Sequence, residues 1–427
     1  MSDNTGLLRT AALWPPAVSD TAASPSATAA APSAMTPLER RATVSLASIF
    51  ALRMLGMFLV LPVFAIEAHA YPGGDDPARV GLAMGIYGLT QAVLQLPLGL
   101  ASDRFGRKRV IVLGLLVFAL GSLLAAVAHS VEALIFARAL QGAGAVSAAV
   151  TALLADLTRD AVRTKAMAVV GASIGLMFAL SLALSPLLAA ALHLSGLFAL
   201  TGVLAIIGIG VIVWGVPAEP AQHRHESRGR LGDVLRHVAL LRLNFGVFVL
   251  HAVQIAMWVA VPTLLVQAGL PKNHHWWVYL PAVLASFVVM GGTLFPLERR
   301  GRLRAVFLVA IGLIAVAQLG FLTELAQPGI AGIGMLLFVF FCGFNVLEAS
   351  QPSLVSRMAP AASRGAALGV YNTLQSLGLF AGGALGGQLL KVWGMHAVFL
   401  TGAVAMALWL AVAWGMRVPA TARAGRH

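Results

Sequence analysis

Two groups able to change charge stand inside apolar stretches of this sequence: Glu348, the only carboxylate well within such a run, and His251. Glu67 and Glu132 fall near the ends of theirs. A group that binds and releases a proton within hydrocarbon couples to the membrane potential, where one elementary charge is worth ~2.3 kcal/mol per 100 mV. Burial penalises the charged form of an acid and of an imidazole alike, so modest changes of surroundings switch either. Glu348 and His251 are therefore proton-coupling candidates. The bland alternatives stay open: Glu348 as a structural partner of an arginine, and His251 as an ordinary hydrogen-bonded histidine.

Arg53 and Arg138 place fixed positive charge in the first half of the chain, where no acid lies inside an apolar run. A cavity so charged should accept anions or neutral amphiphiles better than cations. Polar side chains recur nearby at helical spacing. Tyr87, Gln91 and Gln95 repeat every four residues and share one helix face, as Asn372 and Gln375 do at a spacing of three. Gln141, Gln254 and Asn345 complete the set. Any single amide here is either a helix-to-helix hydrogen bond or the wall of a wet cavity.

The most specific run is Gly99-Leu-Ala-Ser-Asp103-Arg104-Phe-Gly106-Arg107-Lys108. Gly99 lets helices approach, Gly106 permits a tight turn, and Arg104, Arg107 and Lys108 keep the turn out of the membrane. Asp103 can bond a helix N-terminus or a neighbouring arginine, an interaction of ~0.3–2 kcal/mol that a conformational cycle can break. The residue types fit a gate. A weaker copy, Glu298-Arg-Arg-Gly-Arg302, stands at the equivalent turn of the second half.

These residues must be positioned by membrane helices. With 59% hydrophobic and 11% charged residues among 427, the chain has no means of covering an ordinary water-facing surface. Apolar runs fall at 44–66, 80–100, 110–128, 133–155, 166–188 and 196–216, then at 243–267, 277–297, 306–323, 331–355, 366–389 and 396–416. Each approaches the ~20 residues a crossing requires. The pattern predicts an all-α membrane protein of twelve transmembrane helices in two pseudo-symmetric six-helix bundles, spanning 39–216 and 243–416. Residues 1–38 read as a disordered extension and 417–427 as a tail. The linker, 217–242, carries apolar positions 231, 234, 235, 238 and 241 at helical spacing and predicts a short amphipathic helix on the membrane surface.

Lys and Arg concentrate at the chain ends and in alternate connections, around 104–109, 159–165, 224–242, 299–304 and 357–364, while the intervening connections hold only Arg79, Lys272 and Lys391. The positive-inside rule then places both termini in the cytoplasm. The net charge of +13 follows this distribution and predicts no nucleic-acid partner. No His-rich box, Ser/His/Asp grouping, phosphate-binding loop or CxxC is present, and Cys342 is the single cysteine. Enzyme chemistry and a metal site are not expected.

The turn after Gly99 resembles the signature loop of the major facilitator superfamily, and Arg138-Ala-Leu-Gln141-Gly142 resembles the second motif of its drug/proton antiporter branch. Arg53-Met-Leu-Gly-Met, Gly85-Ile-Tyr-Gly-Leu-Thr-Gln91, Asp156-Leu-Thr-Arg159 and Arg163-Thr-Lys-Ala-Met167 make the chain similar to YajR-type transporters along its membrane portion. The resemblance implies the major facilitator fold, with helices 1, 4, 7 and 10 lining a central cavity. It implies that Asp103 caps the start of helix 11 near Arg364, that Arg107 pairs with Asp156, and that Arg138 is a third coupling candidate. It further implies a monomer in the bacterial inner membrane that uses the proton motive force and no cofactor to export a small molecule. The antiporter motif expected in span 5 survives only as Gly171, Gly175 and Pro186. Uptake of a polar or anionic solute by proton symport or facilitation therefore stays open, as does a sensor without flux.

Overall fold

A computed structural model describes residues 34–144, 146–219, 231–360 and 363–416. The expected N-terminal extension, apart from its last residues, the tail from 417, and linker residues 220–230 lie outside them. The described residues form twelve α-helices: α1 Pro37–Glu67, α2 Pro77–Phe105, α3 Arg107–Ala126, α4 Val131–Ala143, α5 Ser147–Asp156, α6 Asp160–Gly210, α7 Leu231–Arg236, α8 Val238–Gln267, α9 Trp276–Arg299, α10 Leu303–Glu324, α11 Ile330–Met358 and α12 Arg364–Trp414.

Local chemistry sets several starts. Thr36 accepts from the Glu39 amide while Glu39 reaches back to the Thr36 amide, with Pro37 at the first helical position. Asp76 and Ser130 cap α2 and α4 through their side-chain oxygens. Helices α6 and α12 each run 51 residues, about 75 Å if straight, which is more than twice the hydrocarbon thickness. Each instead turns back at one residue of positive φ, His193 at 56° and Gly394 at 73°. The described residues thus hold ten spans long and apolar enough to cross a membrane, α4 and α5 together making one of them, and with α6 and α12 doubling back these are consistent with the twelve crossings expected from hydropathy.

Two local differences from the sequence pattern have physical causes. The fourth crossing is divided between α4 and α5, because Gly144 is pressed against α3: a Cβ there would stand 2.4 Å from the Gly114 carbonyl and 2.8 Å from Phe118. The surface helix foreseen over 231–241 ends at Arg236, since His237 is extended (φ −83°, ψ 103°) and Val238 already begins α8. Leu235, Val238 and Leu241 remain exposed apolar residues on either side of that break.

In the first half α1 packs on α6, α2 on α4, and α3 on both α4 and α6; in the second, α8 packs on α12, α9 on α11, and α10 on α11 and α12. The halves meet chiefly along α2 and α12, with further contact of α6 with α9 and α1 with α8. Glycine makes the α2–α12 seam possible. A Cβ at Gly383 would lie 2.4 Å from the Gly81 carbonyl and 2.6 Å from the Gly85 amide, and one at Gly387 would lie 2.3 Å from the Pro77 carbonyl. On the next face of α12, Gly378 and Gly382 stand equally close to the Phe248 and Ala252 carbonyls of α8. Small residues four apart are how membrane helices gain close backbone contact.

We call the end carrying the Lys/Arg-rich connections the basic end and the opposite one the far end. The glycine seam lies in the far half of α2 and α12. Toward the basic end the contact is lost: nothing stands within 4 Å of a Cβ built at Gly365 or Gly369, and Gly99 meets only Ala148 of its own half. The two halves converge at the far end and diverge at the basic end.

Candidate functional site

The first half holds one continuous polar cluster around its two membrane arginines. Arg53, on α1 and 1% exposed, donates to Ser147 Oγ (2.9 Å), Tyr87 Oη (2.5 Å) and Gln91 Oε1 (3.4 Å), and lies 5.4 Å from the Phe118 ring. Gln91 in turn stands 3.5 Å from Gln95 Oε1. Thus the α2 face read from the four-residue spacing does converge on Arg53. Arg138, on α4 and 1% exposed, donates to Gln141 Oε1 (2.6 Å) and to the Ala83 and Met84 carbonyls (3.3 Å each), with its guanidinium 5.1 Å from the Tyr87 ring. Gln141 passes the chain on to Ser122 at 2.8 Å. Every partner of both arginines is neutral.

In the second half α8, α11 and α12 bring His251, Glu348 and Gln375 together. His251 Nδ1 faces the Val247 carbonyl at 3.0 Å, so that nitrogen carries the proton and Nε2 is the acceptor. Gln375 Nε2 lies 2.8 Å from His251 Nε2 and 3.4 Å from Glu348 Oε1. Glu348 Oε2, also 3.4 Å from His251 Nε2, is buried without a hydrogen-bond donor, although the side chain as a whole is 37% exposed against 5% for His251. A proton placed between Oε2 and Nε2 would give Oε2 the partner it lacks, in competition with the Gln375 amide at Nε2. Asn345 bonds Ser286 of α9 at 2.8 Å and stands outside this trio; Gln254 is buried one turn along α8, and Asn372 is half-buried on α12.

At the basic end, Gly106 takes φ 96° between α2 and α3, a conformation suited to glycine. Arg107 contacts Asp103 (2.7 Å), Asp156 (2.6 Å) and Ser102 (3.1 Å), which includes the Arg107–Asp156 pairing that the resemblance implies. Arg104 is exposed beside Phe105, and Lys108 donates to the Val216 carbonyl at 2.6 Å. Arg364 donates to the Ser356 carbonyl at 2.9 Å, inside its own half. Asp103, for which the resemblance implies a cap at the start of helix 11 near Arg364, is held by Arg107 at 2.7 Å. Glu39 and Arg159 form a further pair at this end, at 2.8 Å.

A match to the protein family described as Major Facilitator Superfamily covers residues 46–383, with a second match over 296–426. The chain belongs to the major facilitator superfamily. It is 44% identical to the inner membrane transport protein YajR of Escherichia coli over 90% of this chain and 85% of that one. It is 30% identical to the multidrug resistance protein MdtH of Yersinia enterocolitica over 78% of this chain and 82% of that one. Among solved structures the nucleoside transporter NupG aligns with TM-score 0.70 at 14% identity, covering 88% of this chain and 99% of that one. This is a multi-pass membrane transporter rather than an enzyme.

Within this major facilitator chain, several contacts escaped the sequence reading. Glu219, at the start of the linker, accepts from the amides of Arg107 (3.1 Å) and Lys108 (2.5 Å) and so caps α3 on the signature loop. Nothing about a lone acid after a proline and an alanine announces that role. The glycines at 81, 85, 383 and 387 had a readable small-residue spacing, but which helix each met was not readable. At the far end all three basic residues are ion-paired: Arg79 with Glu132, Lys272 with Glu67 (2.5 Å) and Lys391 with Asp76 (2.8 Å). The last two pairs tie the second half to the first.

The Lys391 ammonium bonds the Asp76 carboxylate and holds its pKa below the usual value of 3.8. A carboxyl lowered in the folded state contributes stability above its unfolded pKa and loses it only as pH falls through the folded value. The Asp76–Lys391 tie should therefore hold across about pH 5–8. Thiol labelling of a cysteine introduced beside Lys391, in a Cys342→Ser background, is expected to be flat over that range and to rise in Asp76→Asn. A sigmoidal rise near neutral pH in the parent would show that another group controls this end.

Proposed function

We propose that this transporter exports a small molecule across the cytoplasmic membrane in exchange for protons. The observation that carries the reading is the trio His251–Glu348–Gln375, three polar side chains from three helices meeting at a buried carboxylate oxygen that is satisfied when a proton is shared with the imidazole. Intramembrane ionisable groups in such a setting are expensive unless they work.

The basic end faces the cytoplasm on this reading, because its connections hold the Lys/Arg excess. The divergence of the halves at that end is then an inward-open arrangement, and the glycine seam with its two cross-half ion pairs is the closed external gate. Glu348, partly exposed, meets water on one side and His251 on the other. Protonation converts His251 Nε2 from acceptor to donor, so the Gln375 amide must rotate to present its oxygen, or move away. Gln375 lies on α12, which also carries the glycine seam. Proton binding and helix position are thereby linked through one side chain. Arg107 with Asp103 and Asp156, together with Glu219, shapes the loop that closes the cytoplasmic side.

Purified protein in vesicles with an imposed pH gradient tests this. Acid outside the cytoplasmic-equivalent compartment should drive accumulation in the opposite direction to proton flow, and substrate added without a gradient should move protons counter to itself. Substrate and protons travelling together would make the chain a symporter, and flux indifferent to the gradient would make it a facilitator.

A further inference from the structure

Resting on the transporter reading, we propose that the first-half cluster is an anion site, and that the transported molecules are amphiphiles carrying a carboxylate or sulfonate that docks at Arg53. Two guanidinium charges sit in the middle of this half, both 1% exposed, with only hydroxyls, amides, carbonyls and aromatic faces around them. Arginine does not shed its proton to escape such a setting. The acids of this half whose side chains are described lie toward its two ends and are each engaged there. The one carboxylate within the second half's membrane core is occupied with His251. A buried charge without an opposite partner is destabilising, and ring contacts offset only part of that.

The two arginines are not equivalent. Arg138 uses all three of its nitrogens: Nε and both Nη atoms have acceptors. Arg53 Nε, by contrast, is buried with no acceptor, while Nη1 and Nη2 bond Ser147 and Gln91, two half-buried side chains at the margin of the cluster. Nη2 spends its two hydrogens on Tyr87 and on the long 3.4 Å bond to Gln91; an oxyanion that displaces Gln91 would meet the unused Nε–H and the freed Nη2–H, the edge geometry that holds carboxylate and sulfonate in two parallel bonds. Tyr87 connects the sites, bonding Arg53 through its hydroxyl and offering its face to Arg138, so the second charge reinforces the first. The apolar remainder of the ligand would lie against the Phe118 and Met57 side of the cluster.

The test uses the full chain in lipid nanodiscs, titrated calorimetrically with three probes of one size: naphthalene-2-sulfonate, naphthalene-2-methanol and (naphthalen-2-ylmethyl)trimethylammonium. The sulfonate is expected to bind at least about tenfold more tightly than the ammonium probe. Arg53→Gln should remove that preference, and Arg53→Lys, which keeps the charge and loses the fork, should keep the order at lower affinity. Equal or tighter binding of the ammonium probe by the unaltered protein overturns the proposal, as does absence of sulfonate binding, or unchanged sulfonate affinity in Arg53→Gln. The probe order in the unaltered protein does not depend on any variant folding. Vesicle flux separates this from the exporter reading. Proton-driven export of the ammonium probe alone defeats the anion site and leaves proton antiport standing; sulfonate binding without proton-coupled flux does the reverse.

Discussion

Gly383→Val is expected to abolish transport while leaving a membrane-inserted, folded protein. The added Cβ would fall 2.4 Å from the Gly81 carbonyl and 2.6 Å from the Gly85 amide, both backbone atoms that have no rotamer to adopt. Ordinary overpacking costs ~1–3 kcal/mol because side chains yield. Here the relief available is separation of α2 from α12, which opens the seam between the halves. A shift of ~5.5 kcal/mol moves a two-state equilibrium from 99:1 to 1:99, and a backbone clash that only helix separation relieves drives the equilibrium in that direction. Substrate flux should fall at least about tenfold, and a cysteine placed beside Lys391 should become reactive in a Cys342→Ser background. Gly312→Val on α10 is the control, since nothing stands within 4 Å of a Cβ there. If Gly383→Val transports as well as Gly312→Val, the seam is not a gate.

Glu348→Gln is the second large effect. The amide is nearly isosteric with the carboxylate but takes no proton, and it supplies a permanent donor toward His251 Nε2. The trio is then held in one of its two hydrogen-bonding arrangements. Substrate-driven proton movement in vesicles should be lost, whereas exchange of labelled for unlabelled substrate at equal pH should continue, because exchange needs the reorientation of loaded protein alone. His251→Asn should weaken coupling in the same assay. Undiminished proton movement in Glu348→Gln would remove this carboxylate from the coupling role.

Much of the architecture was readable because the bilayer leaves few choices. A stretch of apolar residues long enough to cross must satisfy its backbone internally and so becomes a helix. Hence spans were located to within several residues, and the departures fell where a neighbour intervened, as α3 does at Gly144. The signature loop was readable for a different reason: a turn of positive φ at Gly106 between two crossings admits few sequences. Helical spacing also brought out the Tyr87–Gln91–Gln95 face, since residues four apart must share a side.

The site was only partly legible. Glu348 and His251 were singled out because each is anomalous in hydrocarbon, but they lie on different helices, 97 positions apart in the sequence, and no periodicity relates them. Glu219 on the loop and Lys391 on Asp76 were invisible for the same reason, being contacts between surfaces that adjoin only after the helices pack.

The two buried arginines of the first half and the His251–Glu348 pair of the second illustrate the division. Residue type alone pointed to an all-helical membrane chain of about twelve crossings, to charge rationed inside it, and to arginines within the first half against Glu348 and His251 within the second. Tertiary structure decided at which end the halves converge, that α2 and α12 pack most closely there, and that Gln375 stands between His251 and Glu348 on that same α12. Hydropathy acts residue by residue and is written in the sequence directly, whereas a gate is a relation between two surfaces and exists only once both have been placed.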